Sequence, residues 1–354
     1  MRVKIALIDD EDRSRLPSQI QRLDGTIFEV VPLPPPPNLD LRELLVRDAD
    51  LYLVDYELDT RQRDGTIAPY LGMTLAARLR EARPDYPIVL LTRSDLPKWT
   101  DAQRTVKTGG SFDDIVYKDT GIGEDPQGTC SKLISLARGY SELRQCSGRT
   151  VGELLSLLRT DQTGQISANE ALPPPDGWKE FEAAYWVRSV LIRFPGVLYG
   201  EAHAATALGL SLGSFRLESI QQILSPAVYS GPFCEEQRRW WRHSIFDIAN
   251  SYCSVGDSQS SRRGGFRRVA SERIGLELEP ASDIESGNIP ADTVCYVLGE
   301  PVRIETSLPY RPDARPPVME ESRVSFRAIR ESNEVDENYI GAANRSKLDE
   351  IRSP

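Results

Sequence analysis

Side chains suited to moving a phosphoryl group stand where short apolar runs of the chain end. Asp9 and Asp10 directly follow one run, and Asp55 ends another. A hard cation such as Mg²⁺ prefers carboxylate oxygens, and a carboxylate can also attack phosphorus to form an acyl phosphate. That transfer is accelerated mainly by positioning and by neutralising charge on the phosphoryl oxygens. Thr92 and Lys118, which follow two further runs, could supply a hydroxyl and an ammonium for this purpose.

Each of these residue types alone has a common structural explanation. An aspartate after a strand usually closes a turn or caps a helix, and a lysine is usually a solvated surface group. The order of the set favours chemistry, because each member follows an apolar run. Lysine is also scarce here, with seven among 43 basic residues. Because an ammonium and a guanidinium are not equivalent, we expect Lys118 to have a specific role.

The first part of the chain alternates short apolar runs with segments of helical spacing. The expected strands cover residues 3–8, 27–33, 51–54, 87–91 and 115–117, and the expected helices cover 39–47, 73–82 and 130–143. Such alternation predicts a parallel sheet covered on both faces. Ligands bind beyond the carboxyl ends of the strands in sheets of this kind, which is where the candidate residues stand.

Residues 1 to about 145 resemble the receiver domain of bacterial response regulators, and the motifs that carry the resemblance are IDDED, LVDYEL, GMTLAARLRE, IVLLTRS and IVYKD. The resemblance implies an α/β, flavodoxin-like, doubly wound (βα)5 fold for residues 1–147. It also implies that Asp55 is the phosphoacceptor. A histidine kinase or a phosphotransfer protein would supply the phosphoryl group.

The same resemblance implies roles for the surrounding residues. Mg²⁺ would be the cofactor, bound by Asp9, Asp10, Asp55 and the backbone carbonyl of Glu57. Three residues would stabilise the phosphoryl group or switch with it, namely Thr92, Lys118 and Tyr117.

The segment also departs from the family pattern at three places. The proline usually found shortly after the phosphoacceptor is absent, and the charged segment Asp59–Leu71 is longer than the family's loop. This insertion could cover the site, alter the lifetime of the phosphoryl group or supply a partner contact. The loop Lys98–Phe112 departs as well, so the usual signalling face could be remodelled.

Residues 148–354 have a different pattern, which predicts a mostly helical output or effector domain of unknown type. The Pro173–Pro175 run is either a linker or a rigid turn, and the Arg-rich segment 256–268 is expected to be a flexible loop. Residues 293–305 could form a hairpin. This half contains no Ser/His/Asp, Cys/His or P-loop arrangement, so no separate catalytic site is identified in it.

Residues 201–224 suggest a helix-turn-helix that binds DNA. Gly209 would make the turn and Ser211 would cap the second helix. The arginines that could then contact nucleic acid are Arg216, Arg238, Arg239 and Arg242. An ordinary helix pair in a bundle explains the same pattern, because the supposed recognition helix has only one basic residue.

The sequence therefore favours a two-component response regulator whose receiver, phosphorylated on Asp55, switches an atypical interaction or effector domain. Two alternatives stay open: a transcription regulator that uses residues 201–224, and an enzyme whose site is assembled from residues that the sequence does not group. We favour a protein over DNA as the output partner, and we leave a homodimer open.

Composition narrows the setting further. The net charge of −10 disfavours indiscriminate coating of nucleic acid. Five widely spaced cysteines and two histidines argue against a zinc site or a disulfide framework. The sequence has no apolar run of 18 or more residues, so we expect no membrane-spanning helix and place the protein in the bacterial cytoplasm.

Overall fold

A computed structural model describes residues 2–9, 15–23, 27–46, 48–58, 68–93, 111–159, 172–193, 195–252, 262–287, 289–311 and 320–352. The chain divides into two compact units. The first comprises Met1–Thr160, Pro173–Val187 and Gly231–Glu236, and the second comprises Asp161–Leu172, Arg188–Ser230 and Gln237–Pro354. The first unit therefore extends beyond residue 147, where a domain boundary was expected, because two later segments of the chain return to it.

The first unit is built on five parallel strands. They are β1 (Val3–Ile8), β2 (Phe28–Leu33), β3 (Leu51–Asp55), β4 (Ile88–Thr92) and β5 (Asp114–Tyr117). Their order in the sheet is β2-β1-β3-β4-β5, which is the flavodoxin-like order. The predicted fold class is thus confirmed, and the register aligns the carboxyl ends of the strands, with Ile8 opposite Val54 and Asp55 opposite Leu91.

Burial explains why these segments form strands. Every residue of β3 and of β4 is buried, as expected for central strands covered on both faces. The covering helices are Arg15–Leu23, Arg42–Val46, Gly72–Ala82 and Pro126–Leu143. The first of these was not predicted, since Pro17 interrupts the helical pattern. Proline is nevertheless tolerated in the first turn of a helix, and Ile20 anchors this one in the core.

Two further helices complete the first unit, Val151–Leu157 and Glu180–Trp186. A capping box formed by Thr150 and Glu153 starts the former. The buried Trp178 side chain donates its indole N–H to the Thr150 carbonyl at 3.2 Å, which ties the returning segment to this helix start. Short π-helical turns cover Thr120–Glu124 and Val187–Ile192, and a 3-10 turn covers Pro37–Leu39.

The second unit is helical and mixed. Its helices are Glu201–Leu208, Leu212–Phe215, Glu218–Ile223, Arg242–Tyr252, Arg262–Ile274, Phe326–Glu331 and Arg345–Arg352. Three antiparallel pairs accompany them: Leu198–Tyr199 with Trp240–Trp241, Thr293–Val294 with Pro301–Val302, and Ser307–Pro309 with Arg323–Ser325. Further 3-10 turns cover Ser225–Ala227, Glu337–Tyr339 and Ala342–Asn344. The hairpin expected over residues 293–305 is confirmed.

One expectation for this unit is wrong. The Arg-rich segment 256–268 was predicted to be a flexible loop, but residues from Arg262 onward belong to the helix Arg262–Ile274. Phe266 and Ala270 are fully buried in the core of the unit, where they pack among the neighbouring helices. Glycines and arginines hid this apolar stripe from the sequence pattern. The preceding residues 256–261 lie outside the described residues.

A buried carboxylate holds one corner of the second unit together. Asp283 is fully buried and accepts hydrogen bonds from the Thr306 hydroxyl at 2.9 Å, the Ser286 hydroxyl at 2.9 Å and the Arg303 amide at 3.1 Å. Burial alone would raise the pKa of Asp283, but these hydrogen bonds outweigh it and hold the pKa below its usual range. The ionised form is therefore the one that the fold stabilises.

We expect Asp283→Asn to lower the free energy of unfolding at pH 7 by about 2–3 kcal/mol, because an amide presents a donor where donors converge. Because the folded pKa is depressed, the contribution of the carboxylate is present above the unfolded value of about 3.9 and is lost as the pH falls through the folded pKa. Urea unfolding at pH 7 and pH 3 tests this. The difference in free energy of unfolding between Asp283→Asn and the native protein should be smaller at pH 3 than at pH 7. The control Asp247→Asn, at an exposed site, should change the free energy of unfolding little at either pH.

Candidate phosphoacceptor site

Two buried carboxylates and a lysine meet at the carboxyl edge of the sheet. Asp9 follows β1 and is 5% exposed, and Asp55 ends β3 and is 3% exposed. The Lys118 ammonium, which follows β5, lies 2.9 Å from Asp55 Oδ2 and 3.3 Å from Asp9 Oδ2. The sheet order places β1 and β3 side by side, so these two carboxylates from distant parts of the chain share one lysine. These distances bring together three of the residues that the sequence predicts to share one site, and their roles stay predictions.

Backbone hydrogen bonds orient the Asp55 carboxylate. The Tyr56 amide donates to the Leu91 carbonyl and to Asp55 Oδ1, both at 2.9 Å. Oδ1 is thereby turned toward the start of the following loop, and Oδ2 points to Lys118. One oxygen is thus held by the backbone and the other by a cation, which is a defined geometry for a nucleophile.

Thr92 lies at the same carboxyl edge of the sheet, at the end of the strand between β3 and β5. It ends β4, is 2% exposed, and its carbonyl accepts a hydrogen bond from the Lys118 amide at 2.7 Å. Within the described part of the chain, Thr92 Oγ1 is buried without a hydrogen-bond partner. Buried hydroxyls without a partner are uncommon in folded proteins. An additional oxygen, such as that of a phosphoryl group, would satisfy it.

Gly72 allows the helix after β3 to begin directly against the backbone of Asp55. Its amide donates to the Tyr56 carbonyl at 2.8 Å. A Cβ at position 72 would lie 1.9 Å from the Asp55 carbonyl oxygen, a distance that no side chain tolerates. The glycine is therefore required by the close approach of two backbone segments, one of which carries Asp55.

The donor set fits a hard divalent cation. Asp9 and Asp55 bring two carboxylates to one buried volume, and carboxylate oxygens are the ligands that such a cation prefers. Asp10, the third expected carboxylate, lies outside the described residues. The described residues alone hold no group of three or more acidic, histidine or cysteine side chains arranged for a metal. The roles of Asp10 and of the exposed Glu57 carbonyl stay predictions.

Two other sequence expectations concern the rim of this site. Tyr117 is half-buried and packs against the core cluster of the sheet, so its role as a switch stays a prediction. Of the insertion Asp59–Leu71, residues 59–67 lie outside the described residues. Its far end is anchored, because Tyr70 is buried in the same core and donates its hydroxyl to the Pro36 carbonyl. Burial raises the pKa of Tyr70 to about 12.

A buried network behind the sheet was not predicted. The Arg80 guanidinium lies 2.5 Å from Asp113 Oδ2, with both side chains 8% exposed, and it donates to the Tyr86 carbonyl at 2.9 Å. Tyr140 completes the network by donating its hydroxyl to Asp113. Burial alone would lower the pKa of Arg80, but Asp113 and Tyr140 outweigh it and raise the pKa. The only signal in the sequence is that Arg80 stands at an apolar position of its helix.

A distant segment packs on the same helix as Tyr140. Phe233, from Gly231–Glu236, is 1% exposed, and its ring lies edge-on to Tyr140 with the centroids 6.2 Å apart. A Cβ at Gly139 would lie 2.3 Å from the Phe233 ring, so the glycine creates the space that the ring occupies. The backbone of Phe233 has φ = 64°, a left-handed value that a bulky residue rarely adopts. Packing of the ring therefore offsets backbone strain.

We expect Phe233→Ala to lower the free energy of unfolding of the first unit by about 3–5 kcal/mol, because the deletion leaves a cavity over Gly139. The matched control is Tyr185→Ala in the same unit, since that ring is 56% exposed and its loss should change stability little. Urea unfolding of both variants tests this. Equal midpoints for the two would contradict the assignment of Phe233 to the core.

Solved structures that are similar to this chain include receiver domains. The response regulator protein TrrA from Thermotoga maritima, in complex with Mg²⁺-BeF, is 20% identical, covers 38% of this chain and 99% of its own, and has a TM-score of 0.27. A CheY-like receiver domain protein from Methanospirillum hungatei is 16% identical, with coverages of 40% and 99% and a TM-score of 0.30. The signal receiver domain of an HD domain-containing protein from Pseudomonas fluorescens is 18% identical, with coverages of 41% and 93% and a TM-score of 0.31.

No protein-family model and no curated protein matches the sequence. These identities and TM-scores are too low to indicate a function, so the geometry of the site is the evidence for it. Among the described helices, none is both long and apolar enough to cross a membrane.

Of the four arginines expected to contact nucleic acid, three line the same depression and one does not. Arg216, Arg238 and Arg239 line one depression in the second unit. Arg242 does not line it and lies instead over the rings of Tyr199 and Phe246.

The predicted turn and cap of the helix-turn-helix are present, with φ = 72° at Gly209 and the Ser211 hydroxyl accepting from the Ser214 amide at 3.1 Å. The prediction of one continuous second helix is wrong, because the segment forms two helices, Leu212–Phe215 and Glu218–Ile223. Arg216 stands at the break, and both ends of its guanidinium bind Glu201, at 2.9 and 2.7 Å. This guanidinium is therefore already paired with a carboxylate.

Proposed function

We propose that this protein is a two-component response regulator whose first unit accepts a phosphoryl group on Asp55 in an Mg²⁺-dependent reaction. The observation that supports this most directly is that Lys118 lies within 3.3 Å of both Asp9 and Asp55, at the sheet edge where β4 ends in the buried Thr92. A pocket of this kind has a nucleophile, a cation to pair with the incoming charge and a hydroxyl donor. The donor protein would be a histidine kinase or a phosphotransfer protein.

The chemistry assigns one task to each side chain. An Asp55 carboxylate oxygen attacks phosphorus, and the bond from phosphorus to the donor breaks, leaving an aspartyl phosphate. Lys118 pairs with a phosphoryl oxygen, and Thr92 donates its hydroxyl to another. Asp9 and Asp10, with Asp55 and the Glu57 carbonyl, would hold Mg²⁺, which when bound neutralises charge on the phosphoryl oxygens.

We further propose that the second unit is an effector or interaction module controlled by this site. The chain leaves the second unit at Ser230, contributes Gly231–Glu236 to the first, and enters the second again at Gln237. Phosphorylation that shifts the helix Pro126–Leu143 would thus act on a segment continuous with the second unit on both sides. A protein target, a homodimer and a cytoplasmic location belong to this proposal.

Binding of duplex DNA is the less favoured output. The divided second helix and the Glu201–Arg216 pair leave no long basic helix to enter a groove in the described part of residues 201–224. Electrophoretic mobility of promoter fragments at low and high salt would reveal any such binding.

Intact-mass measurement after incubation with acetyl phosphate and Mg²⁺ tests the phosphoacceptor. We expect the native protein to gain one phosphoryl group, Asp55→Asn to gain none, and Asp48→Asn to behave like the native protein, because the Asp48 side chain is 92% exposed. Omission of Mg²⁺ should abolish the gain. Modification that persists in Asp55→Asn would show that Asp55 is not the acceptor.

A further inference from the structure

The second unit contains a depression of about 480 Å³ with a strongly basic lining. Three arginines line it, Arg216, Arg238 and Arg239, against one carboxylate, Glu201. Because Glu201 is already paired with Arg216, the charges of Arg238 and Arg239 have no carboxylate partner among the described residues. A basic concavity is unusual in a protein of net charge −10, and it favours an anionic ligand.

The Arg239 guanidinium is placed as a ligand-binding group would be. It is half-buried, its Nη2 donates to the Gln237 side chain, and Nε is buried without a partner in the described part of the chain. Burial lowers the pKa of Arg239. Nη1 lies close to the backbone of Gly200, since a Cβ at that position would lie 2.1 Å from it.

Gly200 is also the N-cap of the helix Glu201–Leu208. The Arg239 guanidinium therefore lies near the positive end of a helix dipole, and both would attract an anion. Arg239 is thus held at this corner by its fit against Gly200 and by Gln237, and no carboxylate of the described chain neutralises it.

Two more lining residues hold buried polar atoms without a partner in the described part of the chain. Gln221 donates its amide to the Phe215 carbonyl at 2.6 Å, which leaves Gln221 Oε1 as an acceptor without a donor. Trp240 is 2% exposed, and its indole N–H has no acceptor. Nearly all buried polar groups in folded proteins are satisfied, so it is unusual that three such atoms belong to residues lining one depression.

We infer that this depression binds a small organic phosphate monoester. The arginine forks match the oxygens of a phosphate. A volume of about 480 Å³ exceeds what a phosphate ion alone requires and falls in the range of small-ligand sites. This site is separate from Asp55, so the inference goes beyond the proposed function of the first unit.

The test uses the full-length Asp55→Asn protein without Mg²⁺, so that the phosphoacceptor site does not contribute. Isothermal titration with ribose 5-phosphate and with phenyl phosphate is compared with titration by ribose and by inorganic phosphate. We expect saturable binding of at least one monoester, tighter than that of inorganic phosphate, and none of ribose. Absence of saturable binding of both monoesters in the millimolar range overturns the inference, and so does equal or tighter binding of inorganic phosphate.

Added variants locate the binding. Arg239→Gln should weaken the monoester at least 10-fold, and Arg238→Gln should also weaken it while leaving the fold intact, because that side chain is exposed. Arg242→Gln is the matched control, since it is a neighbouring arginine that does not line the depression, and it should leave affinity unchanged. Equal affinities in all three variants would overturn the assignment. Duplex DNA that binds through Arg239 and is not displaced by the monoester would overturn it in favour of nucleic acid.

Discussion

Replacing Lys118 with glutamine is expected to slow phosphorylation of Asp55 by about 10²-fold or more, the usual cost of removing one group that stabilises charge in a transition state. Lys118 lies 2.9 Å from Asp55 and 3.3 Å from Asp9, so it faces both the nucleophile and the volume that a phosphoryl group would enter. Glutamine retains a donor of similar length but not the charge. The rate of phosphoryl incorporation from acetyl phosphate at saturating Mg²⁺ measures the effect.

Lys132→Gln is the matched control for this experiment. Lys132 also pairs with an aspartate, Asp114, at 3.2 Å, but its side chain is 39% exposed and lies outside the pocket. We expect its phosphorylation rate to stay within about twofold of the native rate, as for most surface ion pairs. A Lys118→Gln rate that is equally unchanged would mean that the ammonium does not act on the transferred group.

Replacing Gly72 with alanine is expected to lower the free energy of unfolding of the first unit by about 3 kcal/mol, at the upper end of overpacking costs. The added Cβ would stand 1.9 Å from the Asp55 carbonyl oxygen, so the backbone of β3 or the start of the helix Gly72–Ala82 has to move. Either movement shifts Asp55 relative to Lys118. We therefore expect slower phosphorylation along with the lower stability.

Gly152→Ala provides the control for Gly72→Ala. Gly152 lies exposed in the helix Val151–Leu157, and the nearest atom to an added Cβ is the Thr150 hydroxyl at 3.9 Å. This variant should be as stable as the native protein or slightly more so, because alanine is the better helix former. Urea midpoints and acetyl phosphate rates compare the two. A Gly72→Ala protein with native values of both would show that the close approach is not required.

The site formed by Asp9, Asp55 and Lys118 and the packed ring of Phe233 belong to the same compact unit but have different roles. Lys118 and Asp55 pair at the carboxyl edge of the sheet, where we propose that phosphoryl transfer occurs, whereas Phe233 packs over Gly139 on the helix Pro126–Leu143. The buried Arg80–Asp113 pair connects that helix, through Tyr140, to the start of β5. Lys118 directly follows β5. The Phe233 ring is therefore linked to Lys118 through Tyr140, Asp113 and strand β5.

The sequence by itself determined the sheet and most of the acid pocket. Its apolar runs are short and continuous, which is the pattern of strands buried on both faces, and parallel strands bring their carboxyl ends to one edge. Asp55, Thr92 and Lys118, which stand at the ends of different runs, are therefore expected at that edge. The helix Arg15–Leu23 was not predicted because Pro17 obscures its periodicity, although the first turn of a helix tolerates a proline.

Only the tertiary structure decided which distant segments pack together. Phe233 and Gly139 are 94 positions apart, and nothing in the local pattern of either indicates the other. The same holds for the close approach of Arg239 to Gly200, and for the buried stripe of Phe266 and Ala270 among arginines. Periodicity reports which face of an element is apolar. It does not report which partner covers that face, because the choice depends on shape and packing across the whole chain.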